Sequence, residues 1–470
     1  MTTTQNFQAV GRPETGERGL GPLLVVLTGT FMTFLDFFIV NVALPSIQRD
    51  LHAGPAAIQL VVAGYGLTFA VGMITGGRLG DLYGRRRLFM IGLALFTMTS
   101  AACGLAPDAL FLVVSRVLQG GAGAMMTPQV LAILGTVYAG ERRAKAFAAY
   151  GMTMGIAGVL GQLLGGLLIQ ADIAGSSWRG IFLINVPVGL AGLLLSNRVV
   201  PESRGIRSQL DLTGTALASV GLAAVILPLV EGQQHGWPAW TWLCLATAPV
   251  LLGAFTAQQA RRKRAGRAPL LDLGLFRNRA FGVGTVTALT YTLVPPSFFF
   301  ALALYLQDGR RLSALFSGTI FSAVGAGFLA AMLLTQAMTA RLGRQILALG
   351  ALVTAAGSLT MALAASAPSP TDLLPGLAVT GFGIGMVLVP LSATVLRDVA
   401  AEQAGSAAGV LATFQQAGGA LGVAVIGVVF FRELHASSFP HAFAVSLVVL
   451  AILTTLTAAL VQLLPRHASS

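Results

Sequence analysis

Asp36 is the only carboxylate set well inside an apolar stretch long enough to cross a bilayer, and Arg116 is its one candidate counter-charge at comparable depth. An acid so far from water is a candidate site for reversible protonation. Desolvation favours its neutral form, a neighbouring guanidinium favours the ionised form, and entry of water or of a ligand tips the balance. A charge near the bilayer centre costs about 2.5–3.5 kcal/mol on insertion scales, so an intramembrane acid is read first as a functional residue. The competing reading is a structural Asp hydrogen-bonded to backbone. Arg116 keeps its proton, so its role is to tune Asp36 or to hold a water chain. The alternative for Arg116 is an interfacial side chain reaching the headgroups. Gln119 lies one helical turn beyond Arg116 and shares its face.

The elements that must hold these residues are membrane helices. Hydrophobic residues make up 55% of the chain and charged residues 10%, with a mean hydropathy of +0.80. No soluble core absorbs that much apolar chain. Segments of about twenty apolar residues recur about fourteen times, at approximately 22–44, 57–77, 88–106, 109–134, 146–170, 180–197, 212–230, 240–259, 281–306, 314–335, 346–365, 373–395, 406–430 and 442–464. With the N-terminus placed in the cytoplasm, 23 of the 29 basic residues fall on the cytoplasmic side and five outside, Arg116 being the remaining one. That asymmetry places both termini inside. It also accounts for the net charge of +12 without a nucleic-acid partner, since the basic residues, RRKRAGR (261–267) included, sit between spans and near anionic lipid. All five histidines lie at segment ends or in loops, which argues against a histidine relay, and Cys103 and Cys244 match no metal spacing. No nucleophile constellation or phosphate loop stands out, so an enzyme is not expected.

An internal repeat divides the chain. GGAGAMMTP, ending at Pro128, matches GFGIGMVLVP, ending at Pro390, and Gln162, Gly165 and Gly166 recur as Gln415, Gly418 and Gly419. A fainter echo pairs Gly84 and Arg85 with Gly343 and Arg344. Corresponding spans are eight apart, so the expected fold is all-α: two pseudo-symmetric six-helix bundles with two additional central transmembrane helices. The divisions read as a cytoplasmic tail at 1–21, a first bundle at 22–200, the inserted pair at 201–280 and a second bundle at 281–470. Parallel halves with a site between them at mid-membrane are a transporter arrangement.

LDFFIVNVALPSI (35–47), GGRLGDLYGRRR (76–87), RVLQGGAGAMMTP (116–128), GQLLGG (161–166) and WRGIFLINVPVG (178–189) together resemble the major facilitator superfamily, and within it the fourteen-span drug:proton antiporters. The resemblance covers nearly the whole chain. It implies alternating access in a multi-pass protein of the bacterial inner membrane, the proton gradient as energy source with no cofactor, and a small drug or antibiotic as substrate. It also implies that the 76–87 loop latches one half to the other in the outward-facing state. Three positions depart from the family pattern: Leu82 where an arginine is usual after the loop Asp, Gln162 in place of a helix-breaking proline, and Gln415 where relatives often carry arginine.

Other constellations are placed around this frame. The face of the first span through Gly29, Met32, Thr33, Asp36, Ile39, Val40 and Ala43 suits packing against helices or a wet cavity. In the loop motif Gly77, Gly80 and Gly84 are expected to form a tight turn and Asp81 to accept the free amides of a helix start, with Arg85 and Arg86 as gate or topology residues. Gly158, Gly161, Gly165 and Gly166 make one side of the fifth span small, for close packing or a sliding interface between halves. Substrate contacts are expected from Thr33, Gln119, Gln162, Gln415 and Phe299, the last following a kink at Pro295 and Pro296; packing of Phe298, Phe299 and Phe300 against lipid is equally open. The reading is a proton-coupled exporter of small amphipathic compounds, broad or dedicated to self-resistance. The alternatives are a proton-coupled metabolite importer on the same fold and a non-transporting receptor or scaffold.

Overall fold

The computed structural model describes residues 20–465 apart from 139, 204–210, 233–234, 268, 397–398 and 400–403. The expected tail at 1–21 therefore lies almost wholly outside the described residues. Fourteen helical segments are long and apolar enough to span a bilayer. They are built from α1 (Gly21–Asp50), α2 (Pro55–Tyr83), α3 (Arg85–Gly104), α4 (Ala109–Val137), α5 (Gly140–Ala171), α6 (Gly180–Leu183) continued by α7 (Asn185–Val199), α8 (Leu212–Glu231), α9 (Ala239–Arg264), α10 (Arg279–Thr292) continued by α11 (Val294–Leu304), α12 (Ala314–Leu342), α13 (Gln345–Ala364), α14 (Leu374–Leu396), α15 (Ala404–Ala436) and α16 (Phe439–Val461). Several helices outrun the apolar stretch that predicts them. Backbone hydrogen bonding does not stop at the membrane edge, so α1 runs on to Asp50 and α2 to Tyr83.

The two halves repeat one packing plan. In the first, α4 lies against α2 and α3; in the second, α14 lies against α12 and α13. Pro128 and Pro390 fall inside α4 and α14, the helices that carry the matching glycines. The halves meet along α2 with α15 and along α5 with α12, while α8 touches both α2 and α15. Successive spans alternate in direction, so both described ends lie on one face, here the basic face, opposite a far face.

Burial is uneven across the membrane. At the far face one apolar cluster takes residues from both halves, including Ile39, Val61, Phe182, Phe298, Phe300, Ala424 and Phe430. At the basic face the clusters separate. One belongs to the first half (Val26, Phe89, Met126, Ile133), with Ala412 the only residue of the second half packed on it among the described residues. The other joins the second half to the inserted pair (Phe255, Leu271, Ile346, Val395). The halves are thus sealed together at the far face and are largely distinct at the basic face.

The loop motif folds differently from its reading. Gly77, Gly80 and Asp81 are still inside α2, and only Gly84, at φ 109°, makes the turn. The α2 glycines serve approach to α4: a methyl group at Gly76 would meet Ala124 O, and one at Gly80 would meet the side chain of Gln129, whose Nε2 donates to Gly76 O at 2.8 Å. Asp81 does not cap a helix; it accepts from the side chain of Arg85, across the Gly84 turn, at 2.9 Å. The free amides of α3 are taken by Glu202, whose carboxylate accepts from Arg86 N at 3.1 Å and Arg87 N at 3.2 Å. On the same face Asp211 is buried at the start of α8 and accepts from Gln258 (2.9 Å), Gln259 (2.7 Å) and Gly214 N (2.9 Å), with Arg262 3.4 Å away. Burial opposes ionisation of Asp211, but these hydrogen bonds and the Arg262 charge outweigh it and hold its carboxyl below the usual range. Arg78 donates to Pro269 O and Thr75 meets Thr215 at 2.8 Å, which ties the inserted pair to α2.

Candidate functional site

The Asp36 face of α1 is buried inside the first bundle. Gly29 admits the Phe89 ring, and Thr33 turns its hydroxyl back to Gly29 O at 2.6 Å while its methyl packs toward Gly123. Asp36 and Arg116 are 0% and 1% exposed and form an ion pair at 2.5 Å between Oδ2 and Nη1. Two unpaired charges at this depth would be costly, and here each is given further partners. Gln119 Nε2 donates to Asp36 Oδ1 at 2.9 Å, and Asn185 Nδ2 donates to the same oxygen at 3.3 Å. Arg116 Nε donates to Val61 O at 3.0 Å, and its Nη1 also donates to Gln119 Oε1 at 2.8 Å. The guanidinium carbon lies 4.4 Å over the Tyr65 ring and 5.6 Å from that of Phe182. Asn185 donates on to Ser100 Oγ at 2.9 Å, Ser100 donates to Phe182 O at 2.9 Å, and Cys103 Sγ donates to Gln119 Oε1 at 3.5 Å.

The site is therefore a closed polar layer fed by α1, α2, α3, α4, α6 and α7. It lies between the apolar clusters of the two faces. A carboxylate with one ionic and two amide partners, beside a guanidinium that has neutral partners of its own, can take or lose a proton with both groups still hydrogen-bonded, at the cost of an unbalanced guanidinium charge. If Asp36 is neutralised, Arg116 still keeps Val61 O, Gln119 Oε1 and the aromatic rings.

The other expected site residues are distributed, not gathered. Thr33 and Gln119 lie inside the first bundle, both buried, and not on a surface between the halves. Gln162 and Phe299 sit where the halves meet. Gln162 Nε2 donates to Phe38 O at 3.1 Å, and without the proline usual there α5 runs unbroken. Phe299 meets Phe38 edge-on at 5.4 Å and stacks on Phe321 at 5.9 Å. The backbone does break before Pro295, between α10 and α11, and Phe298, Phe299 and Phe300 are buried in the joint core and do not face lipid. Gln415 is half-buried and donates to Ser392 Oγ at 3.3 Å. The α5 glycines serve two neighbours. Methyl groups at Gly158 and Gly161 would meet Phe38 at 3.3 and 3.1 Å, one at Gly165 would meet Ile39 Cγ1 at 2.9 Å, and one at Gly166 would meet Ala314 O of the other half at 2.6 Å.

Tyr65, Ser100, Cys103, Val61 O and Asn185 were not singled out by sequence. Asn185 and Tyr65 had a usable signal: each is an isolated polar side chain in an apolar stretch, FLINVPV and VVAGYGL.

The sequence pattern of the Major Facilitator Superfamily matches residues 26–423. The chain belongs to the major facilitator superfamily. It is similar to the probable actinorhodin transporter of Streptomyces coelicolor, 38% identical over 438 residues that cover 91% of this chain and 75% of that protein. The multidrug resistance protein Stp of Mycobacterium tuberculosis is 33% identical over 422 residues (89% and 77%), and the tetracenomycin C resistance and export protein of Streptomyces glaucescens 34% over 430 (88% and 77%). Among solved structures a peptide transporter of the POT family superposes with a TM-score of 0.69 at 17% identity, covering 96% of this chain and 97% of that one. At that identity the match speaks for the fold alone. As a superfamily member with fourteen spans the chain is a multi-pass bacterial membrane transporter and not an enzyme.

Proposed function

We propose that this superfamily member exports small amphipathic drugs or antibiotics across the bacterial inner membrane in exchange for protons, by alternating access between its halves. The buried Asp36–Arg116 pair carries the proton part of this reading: one titratable acid, shielded from water, whose charge changes the balance of a bundle that must move. The names of the relatives support the direction and the substrate class, since they are transporters or resistance proteins for antibiotics. With the basic face cytoplasmic, a joint core at the far face and separate cores at the basic face correspond to an inward-facing arrangement.

In this cycle Asp36 takes a proton from outside and releases it to the cytoplasm, and substrate leaves as the halves rock about the α2–α15 and α5–α12 contacts. One pH unit supplies about 1.4 kcal/mol per proton. Net movement of one charge adds about 2.3 kcal/mol per 100 mV. The test is energised inside-out vesicles from a pump-deficient host expressing this chain, exposed to a panel of cationic dyes, biocides and antibiotics. Proton-gradient-dependent uptake of at least one compound supports export. Efflux of preloaded compound under the same gradient would mean import.

A further inference from the structure

Neighbouring residues of α2 face different partners. Val61 and Tyr65, one turn apart, hold Arg116, the first by its carbonyl and the second by its ring. Gly66 faces the other half: a methyl group there would meet Ala420 Cβ on α15 at 3.4 Å. A second α2–α15 contact lies two turns earlier, where the Gln59 side chain fills the space beside Gly427. Toward α4 the helix is fastened by Thr68, which donates to Val117 O at 2.7 Å, and by the close approach of Gly64 to Val117. Of the helices that the second half touches, α2 is therefore the one that grips the guanidinium.

We infer that Tyr65 is a positioning residue that carries relative movement of the two halves into the Asp36–Arg116 pair, through its ring and not its hydroxyl. This rests on the reading of Asp36 as the coupled proton site. The ring stacks on Phe69 at 5.8 Å and lies 6.5 Å from Phe37, so its plane is set by α1 and α2 together. The hydroxyl is buried with no hydrogen-bond partner among the described residues, which leaves the ring face as what it offers Arg116. Gln119 travels with Arg116 on α4, whereas Asp36 belongs to α1 and Tyr65 to α2. A shift of α2 that follows α15, passed to α4 through Thr68 and Val117, therefore moves the guanidinium, and Gln119 with it, relative to the carboxylate on α1. A substrate held between the halves would act on the proton by the same route, without touching Asp36. Among the described residues the titratable and charged groups facing this point are Asp36 from α1, Arg116 from α4 and Cys103 from α3. The adjoining α6 and α7 contribute Phe182 and Asn185, and α15 contributes Ala420.

The test is an infrared titration of the buried carboxyl in proteoliposomes of the full-length protein, which needs no transported compound. The carbonyl band is assigned by its loss in Asp36→Asn, and thermal unfolding of each variant checks that it is folded. Tyr65→Leu is expected to change the proton affinity of that carboxyl about three- to thirtyfold, the range for losing a cation–π contact. Tyr65→Phe is expected to stay close to wild type. Gly66→Val, which leaves the ring intact and presses on Ala420, is expected to change the affinity in the same sense as Tyr65→Leu. An unchanged affinity in folded Tyr65→Leu overturns the inference, as does a Tyr65→Phe effect equal to that of Leu. A wild-type protein with no Asp36-dependent band between about pH 4 and pH 10 overturns the underlying reading instead.

Discussion

In the first half, helices converge on a buried ion pair, whereas the interior of the second half holds Tyr291, Thr354, Ser358, Thr380 and Ser446 and, among the described residues, no buried charge. The packing plan is shared, yet Ala378 stands at the place aligned with Arg116. The difference is one of cost. Ser358 and Ser446 return their hydroxyls to carbonyls one turn back, Thr354 O and Ala442 O, at 2.9 and 2.8 Å, so they ask nothing of other helices. Asp36 and Arg116 are satisfied only if α1, α2, α4 and α7 all hold position. Among the described residues the interior of the second half holds no charge that several helices must balance at once. The half with the ion pair changes energy when it protonates or when its helices shift.

Removing one member of the pair is the strongest way to break this contrast. Arg116→Gln leaves a buried carboxylate with amide partners alone, and the expected loss of stability is about 3–5 kcal/mol, read by thermal or denaturant unfolding of purified protein. The double variant Asp36→Asn with Arg116→Gln is expected to recover most of that stability while transport stays uncoupled. A single variant as stable as wild type would mean that the pair does not distinguish the halves.

A change where the halves meet comes next. A side chain at Gly166 meets backbone of α12, Ala314 O at 2.6 Å and Leu315 Cα at 2.8 Å, so Gly166→Val is expected to hold the far-face seal apart and cut transport more than about tenfold. Among the described residues nothing lies within 4 Å of a methyl group at Gly121, and Gly121→Ala is expected to transport normally. The contrast is read by transport rate and by labelling from the far face.

Smaller effects are expected outside both interiors and in the second one. The carboxyl of Asp211 is held below its ordinary range, so its stabilising contribution is complete above about pH 4 and is lost as pH falls through its lowered folded value. Melting temperatures of wild type and Asp211→Asn should differ near pH 7 and converge in acid. Ser358→Ala and Ser446→Ala remove only back-bonded hydroxyls, and each should change stability by less than about 1 kcal/mol with normal coupling.

Much of this comparison could be read from sequence because a bilayer is a strict solvent. It demands long apolar runs, so the spans and the isolation of Asp36 were visible, and Arg116 followed as the one opposite charge at that depth. What stayed hidden depends on how helices rotate about one another. Spacing within α1 put Thr33 on the Asp36 face but could not tell packing inside the bundle from a wet cavity, nor show that Asn185 reaches Asp36 across 149 positions of chain. The glycines of GGRLGDLY carry a turn signal, yet at Gly76 and Gly80 the lack of a side chain is used to bring α4 close. Glu202 at the start of α3 was equally unreadable, because its partners lie more than a hundred positions away.

The central claim is that Asp36 joins proton movement to transport. The most direct measurement is accumulation of an identified substrate by reconstituted Asp36→Asn protein under an imposed pH gradient, beside gradient-independent substrate exchange in the same vesicles. The expected result is loss of accumulation with exchange retained. Accumulation equal to wild type, in folded protein at equal density, would contradict the account.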